Sequence, residues 1–595
     1  MINPTLIERK KLSIQRYKYR HITNNILKFN MSITKSQTEK IGSIFNGNRF
    51  IIPSYQRKYS WTHTEIKALW QDIEESIKDE MKHFVGTLSF KENKSSGLST
   101  DTIYEIIDGQ QRITTIFILL KVLIDKISDE DLKKSQLLAF IGSKNSLKLQ
   151  PLGIDGEFLN QLLFEPETID AEIINRRSQR FMFSAKKLFT AFSNSLTATE
   201  IEQRIIFIRD NIEVLVFNVE SQAQAVKMFS IINDRGLPLR ILDKTKSILM
   251  LFSTLHLKEE LNDNINNSFE KIFDAYDDLL VRRDKLGILS RLEENTIFTQ
   301  HYYSSKKLFS STWNNRDGAD TIFDNLKVRC EELKERPDEL KLFVSEYLED
   351  FERFAVSYSN LIKEVETKDI YQKPFRYLEF TATLYPLLVR LYMQGKLNEL
   401  LPNLETIEVR VYKLRGTNPI ADMYWLSSHI SEQNLTVEEI REYLIGFSEK
   451  FVNNHVFRTY LDGAIYANGA VKYILSEYCN DNHDIETYKD YQVEHIFSKD
   501  PNYDATSYGF AGDYDYEKNR LGNLSLLERG LNIGLGNLPP INKVDGYLKS
   551  TNTEITNLAG QIQKGNFDKT NVDNRRKEII DFCILRFNLD NENRN

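Results

Sequence analysis

The stretch YQVEHIFSKD (491–500), followed by RLGNLSLLE (520–528) and LNIGLGNLPPINK (531–543), decides the reading of this chain. In order it offers a carboxylate and an imidazole side by side, an asparagine at the head of a second apolar run, and another asparagine followed by a lysine. The pattern predicts a strand ending at Glu494 and His495, a second strand starting at Asn523, and a short helix carrying Asn532 back across both. Few parts are needed to hydrolyse a phosphodiester on such a frame. One carboxylate and one amide oxygen can hold a divalent cation, one imidazole can activate water, and the scaffold aligns them.

That layout is the one a ββα-metal (HNH) nuclease motif uses, here spanning about residues 491–550. His495 is the candidate general base, because imidazole changes charge near neutral pH. Glu494 and Asn532 are candidate ligands for Mg²⁺ or Mn²⁺, which take oxygen donors. Asn523 joins His495 and Asn532 among the catalytic candidates, with a part that reads as structural: bracing the loop and orienting His495. Lys543 is a candidate DNA contact, meeting a flanking phosphate. An isolated Glu-His pair would be an ordinary loop dipeptide; the Asn-Leu-x-Leu-Leu run and the second asparagine set this one apart. There is no CxxC pair, which excludes the zinc-stapled variety.

At 595 residues the chain is too long for one core, and two to four domains are expected. A hydrophobic content of 41% and a charged content of 27% are those of a globular protein. Cys330, Cys479 and Cys583 lie far apart, as in a reducing cytosol with no disulfide framework. The net charge of −7 argues against a nonspecific nucleic-acid coat, though not against a local basic surface. The N-terminus is polar with no signal peptide, and the best apolar run, IFILLKVLI (116–124), is too short to span a bilayer and contains Lys121. A cytoplasmic location without membrane contact follows as the expectation. The first thirty residues are locally basic and read as a solvated leader.

The chain is expected to be α+β and multidomain: a basic leader (1–35), a mixed α/β domain with helical insertions (36–256), a helical middle (257–400), and a helical C-terminal domain bearing the nuclease motif (401–595). Within the second of these, RFIIPSYQRKYSW (49–61) predicts a strand entering a turn. THTEIKALWQDIEESI predicts a helix, with Thr62 and Glu65 spaced as a capping box and Ile66, Leu69, Trp70, Ile73 and Ile77 on one face. FVGTLSF (84–90), IYEII (103–107) and IEVLVFNV (212–219) predict strands, and the apolar run after DGQQR a buried helix reaching about Ile127.

EIIDGQQRITTI (105–116) has its own chemistry. A strand ends, Gly109 permits a sharp turn, and a helix begins with free N–H groups, which suits an anion. Gln110, Gln111, Arg112, Thr114 and Thr115 add donors, and Asp108 could hold a metal beside a phosphate. Taken alone, such a segment is more often a strand–turn–helix with a capping aspartate.

DGQQR resembles the nucleotide-contacting motif of ParB/sulfiredoxin-like domains. Together PxYQRxYxW, FVGxL, DGQQRxTT and NDRGLPL resemble the N-terminal domain of GmrSD-type modification-dependent (type IV) restriction endonucleases. The C-terminal pattern ending at Tyr547 and Ser550 resembles the nuclease domain of the same group. The resemblance implies that Asp108, Gly109, Gln110, Gln111, Arg112 and Thr114 bind a nucleoside triphosphate (GTP, ATP or CTP), with Tyr55, Gln56 and Arg57 lining the same cleft. Asn233, Asp234, Arg235 and Gly236 would close it or form a structural turn. It also implies double-stranded DNA, modified phage DNA in particular, as substrate, and leaves a homodimer open. Two rival readings stand beside a nucleotide-regulated, modification-sensing defence endonuclease: a nuclease that senses phosphorothioate marks and nicks unmodified invader DNA, and a nucleotide-switched DNA-binding regulator with a vestigial nuclease site.

Overall fold

The computed structural model describes residues 36–589, apart from 54–55, 94–101, 171–173, 175, 220–239, 310–311, 480–483, 511, 513 and 566. Leader residues 1–35, Tyr55 and the Asn233–Gly236 turn therefore lie outside the described residues. The chain divides into two compact units, 1–236 and 237–595.

The first unit is built on a six-stranded mixed sheet in the order β1-β6-β3-β4-β2-β5. Its strands are β1 (Ser36–Lys40), β2 (Asn48–Ile52), β3 (His83–Asn93), β4 (Thr102–Asp108), β5 (Leu149–Pro151) and β6 (Ile212–Val219). β3 pairs antiparallel with β4 and parallel with β6, while β2 runs parallel to β4 and β5. Helix α1 (His63–Lys78) opens with the expected capping box: the Thr62 hydroxyl and the Glu65 carboxylate exchange bonds with each other's backbone. Its Ile66, Leu69 and Ile73 are buried, as the spacing predicts. Helix α2 (Gln110–Asp125) is buried at every position from Ile113 to Ile124. Even Lys121 is inside, its ammonium 2.6 Å from Asp125 and 5.2 Å above the Phe164 ring, because a charge survives burial only when paired. Helices α3 (Arg177–Ser193) and α4 (Ala198–Asp210) complete the shell, and Arg204 of α4 forks onto Glu74 of α1 at 2.7 and 2.6 Å.

Among its described residues the second unit is helical except for one hairpin. Its long helices α5 (Asn262–Leu286) and α6 (Pro337–Val365) pack together and share the ion pairs Lys271–Glu352 and Arg282–Glu366, at 2.6 and 2.7 Å. Asp350 of α6 accepts both Arg390 forks at 2.6 and 2.7 Å and meets the buried His301 ring at 2.9 Å. The hairpin is β7 (Tyr491–His495) and β8 (Leu524–Glu528), antiparallel, with His495 opposite Leu524 and Glu494 opposite Ser525. Helices α7 (Arg529–Leu535), α8 (Pro540–Tyr547) and α9 (Lys569–Arg586) follow it. Arg586, the last residue of α9, reaches Glu405 and Glu477 at 2.6 and 2.7 Å, which ties the hairpin's supporting helix to the preceding bundle.

Candidate active site

The start of β8 is held by atoms a sequence does not advertise. Arg575 of α9 donates through Nη1 to the carbonyls of Leu521, Gly522 and Leu524, at 3.2, 3.0 and 2.7 Å, and through Nε and Nη2 to Glu554. Gly522 is obligatory for this approach: a Cβ there would lie 2.0 Å from the Val572 carbonyl oxygen. Asn523, fully buried, then stitches the two strands together. Its Oδ1 accepts from the Phe497 N–H at 2.7 Å, and its Nδ2 donates to the carbonyls of Phe497 and Lys518, both at 2.9 Å. Its amide is directed at backbone, in keeping with the bracing part read for it.

Successive residues of a strand point to opposite faces, so Glu494 and His495 diverge. Glu494 turns inward. Its Oε1 receives both the Lys543 ammonium and the Tyr547 hydroxyl of α8, each at 2.7 Å. The same ammonium donates to the His495 carbonyl at 2.7 Å. Lys543 is 0% exposed. The structure thus places it under the strand, away from any DNA-facing surface, and it is not the phosphate contact expected of it. A lysine four apolar carbons long can be buried when a carboxylate waits at the end. Burial pushes the Glu494 carboxyl up and the Lys543 amine down, each opposed by the other's charge. Burial, with Glu494 beside it, holds the Tyr547 phenol far above its ordinary range, so Tyr547 is a donor. Ser550, which ends the pattern, donates to Glu528 at 2.7 Å.

His495 faces the other way. Its Nε2 lies 3.2 Å from Asn519 Oδ1, and the Tyr466 ring leans on it with centroids 4.3 Å apart. Burial pushes the imidazole down to about 4, and the nearby Lys543, Lys499 and Lys518 add to the effect. At neutral pH the ring is therefore uncharged, the state a base must be in. Asn519, Tyr466 and the exposed Lys499, whose ammonium sits 5.9 Å over the Tyr466 ring, are neighbours that sequence reasoning missed. Asn519 stands next to the quoted RLGNLSLLE run and was legible there; Tyr466 comes from the preceding helical region and carries no local signal.

Asn532 is on α7, as predicted, and its Nδ2 donates to Gln492 Oε1 at 3.1 Å. Gln492 and Glu494 share a face of β7, so Asn532 sits over the face that carries the carboxylate. On this face the oxygen donors are the Glu494 carboxylate, whose Oε1 is bonded by Lys543 and Tyr547, and the Asn532 amide. The described residues contain no group of three His, Cys, Asp or Glu able to hold a metal by themselves.

In the first unit, Gly109 adopts φ +92° before α2, and a Cβ there would strike Leu88 Cδ2 at 2.2 Å, so the expected sharp turn needs glycine. Side chains of the motif and of the preceding loop are engaged in tying the junction to its surroundings. Gln111 accepts from the Ser60 N–H at 2.8 Å and donates to the Lys58 carbonyl at 3.0 Å. Gln56 donates to the Ile107 carbonyl at 3.2 Å, which brings the YQR segment onto the end of β4. Arg112 donates to the Thr87 carbonyl and lies against Gly86. Thr114 and Thr115 face the core, Thr115 bonded to the Tyr59 hydroxyl at 2.8 Å, so neither is placed at a surface. Asp108, Gly109, Gln110, Gln111 and Arg112 remain together at the strand–helix junction.

Two families of known proteins match the chain. The description "GmrSD restriction endonuclease, N-terminal domain" matches residues 41–250, and "GmrSD restriction endonucleases, C-terminal domain" matches 449–582. Between them they take in more than half of the chain, in the order in which the two candidate sites occur. No curated protein matches it.

Proposed function

The chain belongs to the GmrSD restriction endonuclease family, and from that we propose that it is a metal-dependent, modification-sensing DNA endonuclease of anti-phage defence, regulated by a nucleoside triphosphate. The observation that carries the nuclease part is the β7–β8 hairpin, which ends in His495 on one face and carries Glu494, with Asn532 over it, on the other. His495 takes a proton from a water whose oxygen attacks phosphorus; the bond from phosphorus to the 3′ oxygen breaks, and that oxygen leaves and is protonated from solvent. Glu494 and Asn532 would hold Mg²⁺ or Mn²⁺, which when bound supplies stabilisation of charge on the phosphate and on the departing oxygen. Holding the metal requires Glu494 to share its carboxylate with Lys543. Lys499, exposed beside His495, is the basic side chain suited to meet the DNA backbone.

The Asp108–Arg112 junction is the proposed triphosphate site, with Gln56 and Arg57 beside it. Free N–H groups at the start of α2 and the Arg112 guanidinium suit a phosphate. A bulky base substituent such as a sugar projects into the major groove, where a protein pocket can read it. Nucleotide can restrain cutting provided it favours one arrangement of the protein over another.

The test is a cleavage panel with purified protein on unmodified, hydroxymethylated, glucosylated and phosphorothioate DNA. Each substrate is run with Mg²⁺, Mn²⁺ or EDTA, and with GTP, ATP, CTP or no nucleotide. Cleavage confined to modified DNA, dependent on metal and altered by a triphosphate, is expected. Full cutting after exhaustive EDTA treatment refutes the metal chemistry. Equal cutting of every substrate refutes modification sensing.

A further inference from the structure

We infer that Asn519 is the positioning residue of this site: it holds His495 in the Nε2–H tautomer and so makes Nδ1 the atom that accepts the proton from water. The tautomer follows from hydrogen bonds alone; what Nδ1 does rests on the nuclease reading above.

Donor and acceptor roles around the ring fix its tautomer. Asn519 Nδ2 lies 2.8 Å from the Asp515 carbonyl oxygen. A carbonyl only accepts, so the NH₂ end of the amide must face it. The two ends of an asparagine amide are often hard to tell apart, but here the carbonyl distinguishes them. Oδ1 is thereby turned to His495 Nε2, at 3.2 Å. An amide oxygen also only accepts, so Nε2 must carry the proton, and in a neutral imidazole the other nitrogen is then bare. Nδ1 makes no hydrogen bond among the described residues. It is free to take a proton.

Asn519 is itself fixed. Its carbonyl accepts the Tyr466 N–H at 3.2 Å. The next residue, Arg520, bridges to Ala464 and donates to the Asp462 carbonyl and carboxylate at 2.9 and 2.7 Å. The segment that anchors Asn519 thus also delivers the Tyr466 ring against the imidazole. On the main chain, Lys543 holds the His495 carbonyl. Ring, flank and backbone of His495 are each set by a different contact.

The test reads the tautomer directly. Full-length protein is labelled with ¹⁵N-histidine, and the His495 ring signals are identified by their loss in His495→Gln. Wild type should show the Nε2–H pattern. Asn519→Leu, similar in shape but without an acceptor, should show mixed tautomers. Its single-turnover cleavage should fall about 10- to 100-fold, with DNA affinity unchanged, the scale on which an orienting partner acts. Asn519→Asp keeps the acceptor towards Nε2 but loses the donor to the Asp515 carbonyl, so it should keep the Nε2–H pattern whatever its rate. An Nδ1–H pattern in wild type overturns the proposal without any variant. So does Asn519→Leu with wild-type tautomer and rate, or Asn519→Asp with the mixed tautomers expected of Asn519→Leu. If Asn519→Leu does not fold, the wild-type pattern and Asn519→Asp still decide. If wild type cuts no DNA, the nuclease reading fails while the ring signals continue to test Asn519.

Discussion

Replacing Lys543 by methionine distinguishes a buried tie from a DNA contact. The side chain is 0% exposed and bonds Glu494 Oε1 and the His495 carbonyl, both at 2.7 Å. Lys543→Met keeps the volume and removes the charge. It leaves the Glu494 carboxylate, itself 3% exposed, with the Tyr547 hydroxyl as its remaining side-chain donor. Breaking a buried ion pair from one side costs about 3–5 kcal/mol, because a desolvated charge is left uncompensated. In scanning calorimetry this should lower the transition of the second unit by about 5 °C or more. The deficit has a pH signature. The folded-state pKa of Glu494 already lies above its unfolded value, and without Lys543 it rises further, so the folded state binds the extra proton over a wider pH range. The deficit is then full above that raised folded pKa and shrinks as pH falls through it towards the unfolded value. Adding Glu494→Gln to Lys543→Met should recover a substantial part of the loss, since no charge is then stranded. A phosphate contact would behave oppositely: an unchanged transition, with weaker DNA binding and a salt slope reduced by about 0.9. That pair of results would refute the buried assignment.

His495→Ala should abolish cleavage while DNA binding by gel shift and the thermal transition stay close to wild type; wild-type cutting would remove His495 from the chemistry. In the metal-free protein His495 sits at about 4 when folded and near about 6.5 when unfolded, so the unfolded state takes the proton first. Up to about 3 kcal/mol of stability should therefore be lost as pH falls from about 6.5 towards about 4, and His495→Gln should flatten that limb in denaturant titrations. Arg112→Ala should weaken triphosphate binding by about 1.5–3 kcal/mol in calorimetry, with Arg112→Lys recovering part because an ammonium cannot fork. Equal affinities would reduce DGQQR to a strand–turn–helix.

The local features of this protein were legible because they are set by neighbours in sequence. Thr62 and Glu65 cap α1 three residues apart, Gly109 turns β4 into α2, and the run from Ile113 to Ile124 has no polar face to offer water. β7 ends at Glu494 and His495 and α7 carries Asn532, as alternation and spacing require. The family was legible for the same reason, since its motifs are short and contiguous. Tertiary structure decided what each side chain touches. Sequence gives Lys543 a charge, and only packing shows that the charge ends under β7 rather than on DNA. It offers Asn523 as the partner of His495, whereas the folded chain turns Asn523 to the backbone and brings Asn519 to the ring. Tyr466 reaches His495 from a segment with no motif of its own, because a ring contact depends on distance in space and leaves no periodicity behind.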